Sequence, residues 1–269
     1  MIAESPTQLI LPFPLFAQAA TEIAAPAPTV EDDKLRLCIE NAGKDPATSL
    51  AEASRWVAES RGVGRSKPLE CLGQVYTVLG KWDAAEGAFA EAAQVTLLSD
   101  NTRRAALFAQ AGNAALAGGK AELALAHLDA ALGVPGGEAA ARGQVEIDRG
   151  RALVALNREA EAVAAFAVAQ RDAPDEPLAW LLGATLSRRR GDLAGAQRQI
   201  EVAGSLAPKD PEVGLEAGVI AMLAGDEAAA RKAWESARAV APGSKAAETA
   251  AGYLTQLGAV PAPTQPQGR

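Results

Sequence analysis

The sequence predicts an all-α fold, a right-handed α-solenoid of stacked helical hairpins, and three observations carry that prediction. Composition is the first. Of 269 residues 49% are hydrophobic but only 4% aromatic, and alanine and straight-chain helix formers dominate. Such a mixture, poor in β-branched residues, belongs to helices. The second is a period. Pro174, Pro208 and Pro242 stand 34 residues apart, and self-similarity at that spacing marks a repeat architecture. The third is that the residues ahead of each proline recur in kind. Five upstream lies an alanine (Ala169, Ala203, Ala237). Three before it is a bulky apolar residue (Phe166, Ile200, Trp234), and four earlier another alanine (Ala162, Ala196, Ala230). Five earlier still stand Asn157, Gly191 and Gly225.

Each recurrence has a physical reason. Alanines at fixed places let two antiparallel helices approach closely, and the bulky residue fills the gap between them. Glycine and asparagine tolerate a left-handed backbone, so they end the first helix (helix A) of each unit. Proline cannot continue a helix and ends the second (helix B). A lone hairpin cannot bury its apolar face, so neighbours stack.

The elements follow in order. Residues 1–31 are read as a disordered leader or an export signal, and 32–65 as a degenerate first hairpin. There Leu35, Cys38 and Ile39 keep helical spacing, Asp45 and Pro46 suit an N-cap and first helical position, and Leu50, Ala53 and Val57 continue an apolar face. The array proper spans 66–258. Unit 66–104 carries Leu72, Gly73, Tyr76, Gly80, Trp82, Ala85, Phe89 and Ala92. Unit 105–142 carries Ala111, Gly112, Ala115, Gly119, Ala124, Leu128 and Ala131. These two run to 39 and 38 residues, so longer loops or longer helices A absorb extra residues around 96–104 and 133–142. Unit 143–176 has Gly150, Leu153, Ala162, Phe166, Ala169 and Pro174. Unit 177–210 has Trp180, Gly183, Ala184, Gly191, Ala196, Ile200, Ala203 and Pro208. Unit 211–244 has Ala217, Gly218, Gly225, Ala230, Trp234, Ala237 and Pro242. Residues 245–258 repeat the start of a unit without a second helix and are read as a cap. Residues 259–269, rich in Pro and Gln, are read as a disordered tail.

This pattern resembles the bacterial type of the tetratricopeptide-repeat (TPR) family, strongly over 66–258 and weakly over 32–65. The resemblance implies a non-catalytic scaffold that holds a protein or peptide against the concave face formed by helices A. Carried over residue by residue, that face comprises Glu70, Gln74 and Thr77; Ala109, Asn113 and Leu116; and Ile147, Arg151 and Val154. It continues through Leu181, Thr185 and Arg188 to Leu215, Val219 and Met222. Its C-terminal half is apolar with interspersed arginines, suiting an amphipathic helix or extended apolar peptide. Tight curvature, or Leu9 to Phe16 docked as an internal ligand, is the alternative occupant of that face. The chaperone-tail grip of some TPR domains is not carried over, because Asn113 and Arg151 lack the companion lysine and asparagine. An accessory subunit of an enzyme complex and self-association through the groove are the competing functions.

Charge and motifs narrow the field further. A net charge of −7 is unlike the basic stripe of a nucleic-acid binder, and Arg188 to Arg190 read as a solvated helix end, favoured there by the helix dipole. No run of about 18 apolar residues is present to span a membrane. Leu9 to Phe16 followed by Ala17-Gln18-Ala19 has the outline of a signal peptide, yet no Lys or Arg precedes it and prolines interrupt it; export to the periplasm is favoured slightly over the cytoplasm. Cys38 and Cys71 fall on successive helices A. A disulfide would need Cα atoms within about 7 Å, closer than parallel helices normally sit; two buried thiols are the other reading.

The single histidine, His127, lies in a helix B with no acidic or nucleophilic partner at useful spacing, and one His with two Cys cannot compose a usual zinc site. Gly112 to Lys120 has the outline of a phosphate loop but the wrong spacing, with Ala121 where the hydroxyl should be. No cofactor or metal is expected.

Overall fold

The computed structural model of the chain describes residues 29–259. The expected leader, Leu9 to Phe16 and the tail beyond 259 therefore lie outside the described residues. Among the described residues every regular element is helical. Six hairpins follow one another: α1 (Val30–Ala42) with α2 (Pro46–Glu59), α3 (Ser66–Val78) with α4 (Trp82–Val95), and α5 (Asn101–Ala117) with α6 (Ala121–Leu132). Then come α7 (Ala139–Ala155) with α8 (Glu159–Asp172), α9 (Pro177–Arg189) with α10 (Leu193–Leu206), and α11 (Pro211–Leu223) with α12 (Glu227–Val240). The unpaired α13 (Lys245–Ala259) closes the array, and a 3-10 turn, Gly62–Arg65, leads into α3. Each helix packs on the next in sequence, so the core is a row of small clusters laid end to end.

The turns between helices A and B repeat almost atom for atom. Gly80, Gly119, Asn157, Gly191 and Gly225 all have positive φ, from 58° at Asn157 to 85° at Gly225. The next residue's N–H bonds back to a carbonyl in the last turn of helix A in each case: Lys81 to Tyr76 O, Lys120 to Ala115 O, Arg158 to Leu153 O, Asp192 to Ser187 O and Asp226 to Ala221 O, all at 2.8–3.0 Å. This is the Schellman closure that a left-handed residue permits. The helix B ends repeat too. Ala173, Ala207 and Ala241 share φ near −134° and ψ near 67°, the extended geometry that the following Pro174, Pro208 and Pro242 impose.

Helices A and B meet where a large side chain sits over a helix A glycine. The Phe89 ring covers Gly73, Leu128 covers Gly112, Phe166 covers Gly150 and the Trp234 indole covers Gly218. The fourth array unit departs from this. There the equivalent residue is Ala184, fully buried in the cluster that includes Ile200, and the neighbouring Gly183 receives the Gln170 and Gln199 side chains instead. A β-branched residue leaves room for a methyl group that a ring would not.

The surplus residues of the two long units became helix. Both α5 and α7 are 17 residues long, whereas α3, α9 and α11 are 13, so each gained about one extra N-terminal turn, or some 6 Å of length. In the first hairpin Asp45 accepts from the Thr48 N–H and Pro46 begins α2, but Gly43 at the turn keeps φ −74°.

Candidate ligand groove

Among the described residues, three depressions are lined by residues assigned to the helix A face. The largest, about 660 Å³, is a trough between α5 and α7. Its floor and walls are small, with Ala105 and Ala109 from α5 and Ala141 and Val145 from α7. Asn113 and Asp148 supply polar groups, and the α6–α7 loop closes it with Val134, Gly136 and Gly137. The extra turns of α5 and α7 form part of these walls. A smaller depression of about 280 Å³ between α3 and α5 is lined by Gln74, Thr77, Gln110 and again Asn113. The third, about 380 Å³, lies at the C-terminal end among Val219, Met222, Leu223, Trp234, Tyr253 and Leu257. Met222 and Leu223 are 40% and 56% exposed there, beside a Trp234–Tyr253 ring pair with centroids 4.9 Å apart.

Side-chain links tie consecutive helices A together. Gln74 Nε2 donates to Gln110 Oε1 at 3.2 Å. Arg103 of α5 donates to Glu70 of α3 and, at 3.2 Å, to Ser66 Oγ; burial pushes the Glu70 carboxyl above the usual range, with the Arg103 guanidinium opposing. Arg188 grips Glu216 of α11 with two bonds, of 2.6 and 3.2 Å.

The array matches solved structures along nearly its whole described length. PilW, a widely conserved type IV pilus biogenesis factor, superposes with a TM-score of 0.68 at 19% identity, covering 83% of this chain and 99% of that one. BtubC from P. vanneervenii gives 0.60 at 18%, covering 87% and 97%. YrrB, a TPR protein with an unusual peptide-binding site, gives 0.52 at 16%, covering 74% and 97%. The fold is the TPR solenoid. No family model and no curated protein matches the sequence.

The residues assigned to the TPR ligand face have separate fates. Asn113 is exposed, its amide without a hydrogen-bond partner among the described residues, and it borders both N-terminal depressions; Val219 and Met222 line the C-terminal one. Ile147 and Leu181 are corrected: they are 1% and 9% exposed and belong to the seams between repeats. Ile147 packs with Ala169 and Ala179, and Leu181 with Val213 and Ile220, because an apolar side chain at the edge of the face gains more by turning into the seam. Leu116, Val154 and Leu215 are half-buried against the hairpin cores. Thr185 donates to Leu181 O within its own helix. Arg151 is exposed and paired to Asp148 at 2.9 Å, while Arg188 is held by Glu216.

Further trough residues escaped the repeat register: Val134, Gly136 and Gly137 sit in the α6–α7 loop, whose Val-Pro-Gly-Gly run is the one sequence signal for them. His127 is likewise corrected. Its Nε2 lies 2.6 Å from Glu86 Oε1 on α4, 41 residues upstream, which stacking of helices B brings alongside. Cys38 and Cys71 are joined as a disulfide with Cα atoms 5.9 Å apart. The two helices sit closer than the usual spacing because α1 lies directly on α3, through Leu35 and Cys38 against Cys71 and Leu72.

Proposed function

We propose that this chain is a non-catalytic interaction scaffold that holds a peptide or protein segment along the helix A side, centred on the α5–α7 trough. The trough itself carries the reading: about 660 Å³ of open volume, walled by alanines that let a ligand backbone come close, with the unengaged Asn113 amide at its edge. Such a surface, mostly apolar with a few convergent polar groups, is what small recognition sites look like. Val219, Met222 and Tyr253 supply a second apolar anchor further along. The peptide-binding site named for YrrB, on a shared fold, supports the same use. The disulfide supports an oxidising compartment such as the periplasm.

Fluorescence anisotropy with a library of labelled extended peptides tests this. For peptides selected on the native chain, Ala109→Arg should weaken binding about tenfold or more by filling the trough. Asn113→Ala should weaken it about threefold to tenfold, the worth of one hydrogen bond. Peptides that bind both variants as well as the native chain would show that the trough is not the site.

A further inference from the structure

The first hairpin is held differently from the five that follow. Its turn lacks a left-handed residue, and α1 contains no glycine for a large side chain to cover. Leu35 and Ala42 are its buried side chains, while Val30, Leu37 and Ile39 face solvent. What fastens α1 to α3 is specific: the Cys38–Cys71 bond, and Lys67 paired with Asp32 and donating to Thr29 Oγ1 at 3.3 Å. That ion pair is partly exposed on both sides, and such pairs contribute little alone. The two sulfurs differ in access. Cys71 is 1% exposed, enclosed by Leu35, Ala53 and Trp56, whereas Cys38 is only partly covered.

We propose that Cys38 is a thiol–disulfide exchange site, and that its bond to Cys71 is a latch by which a thiol of the glutathione or dithiol class releases α1 from the solenoid. The incoming thiolate attacks Cys38 Sγ. The electron pair of the sulfur–sulfur bond leaves on Cys71, which takes up a proton, and a mixed disulfide remains on Cys38. A second thiol attacks the incoming sulfur and frees Cys38 as a thiolate, which is protonated in turn. The protein disulfide is thereby reduced to two thiols, and two external thiols are oxidised to one disulfide. Attack at Cys71 is blocked by its enclosure. With the bond open, α1 keeps the partly exposed Lys67–Asp32 pair, the Lys34 ammonium 4.3 Å from the Trp56 ring centroid and the burial of Leu35 and Ala42, a sparser set than any later hairpin keeps.

Two measurements on the oxidised, full-length chain test the latch. Peptide mass mapping after brief exposure to glutathione should find the adduct on Cys38; an adduct on Cys71, or none, overturns the exchange site. Hydrogen exchange with dithiothreitol should lose about tenfold or more of its protection over 30–42, while 177–259 changes less than about twofold. Unchanged protection over 30–42, or loss throughout the chain, overturns the latch.

Discussion

Two glycines inside helices, Gly112 in α5 and Gly87 in α4, read alike as local sequence. A Cβ at Gly112 would stand 2.7 Å from Leu128 Cγ and 3.2 Å from Ala124 O, whereas one at Gly87 would meet nothing within 4 Å. Gly112→Ala should therefore destabilise by about 1–3 kcal/mol through overpacking. Gly87→Ala should stabilise by about 0.5–1 kcal/mol by relieving glycine's backbone entropy. Urea midpoints of the two variants would show the opposite signs. The first glycine is legible because the repeat places it opposite Leu128; the second has no such partner. Glu146 was not legible at all. Its Oε2 is buried without a hydrogen bond, the nearest cation being Arg149 Nη1 at 3.5 Å. Burial pushes its carboxyl above the ordinary 4.5, helped by Asp129 and Asp172 and opposed by Arg149. A carboxyl raised by folding contributes stability below its ordinary value and loses that contribution as pH rises through the folded value. Glu146→Gln should thus add about 1 kcal/mol at neutral pH. Denaturation curves at a series of pH values should show that gain fading as the pH falls towards 4.5.

At the scale of elements, the ends of helices were more legible than their lengths. A left-handed turn demands glycine or asparagine and a following proline forbids helix, so both are written in residue type. An insertion is not: the surplus could have looped out, yet four residues became an added N-terminal turn in each of α5 (101–104) and α7 (139–142), which residue type alone does not dictate. The pairing of Cys38 with Cys71 was similarly open, since it depends on how closely α1 rests on α3. At the far end α13 packs on α12 and α11, and Trp234 of α12 is the largest buried side chain of that cluster. Trp234 is 3% exposed, donates from Nε1 to Leu215 O at 3.1 Å and packs its ring on Tyr253. Trp234→Ala should cost about 3–5 kcal/mol in that region and unfasten α13, seen as lost amide protection over 245–259.

For the molecule as a whole, contacts run from neighbour to neighbour, so damage should stay local. The same Trp234→Ala chain should keep native amide protection across α1 to α5, and a uniform loss would contradict a nearest-neighbour array. The repeat was readable at this scale because each hairpin solves the same packing problem with the same residue types. The groove was readable only in part. Which helix A residues stay open is decided by the next repeat: Ala179 gives Ile147 a seam to enter, and Val213 does so for Leu181, whereas Asn113, polar, stays out.

The Cys38–Cys71 bond also reroutes force. Tension applied to the two ends would enter at α1 and cross directly to α3. All of α2 lies inside the 33-residue span bridged by the bond, so it carries no load while the bond is intact. Roughly 110 Å of contour stays reeled in when everything else has been drawn out straight, and a single exchange event releases that slack.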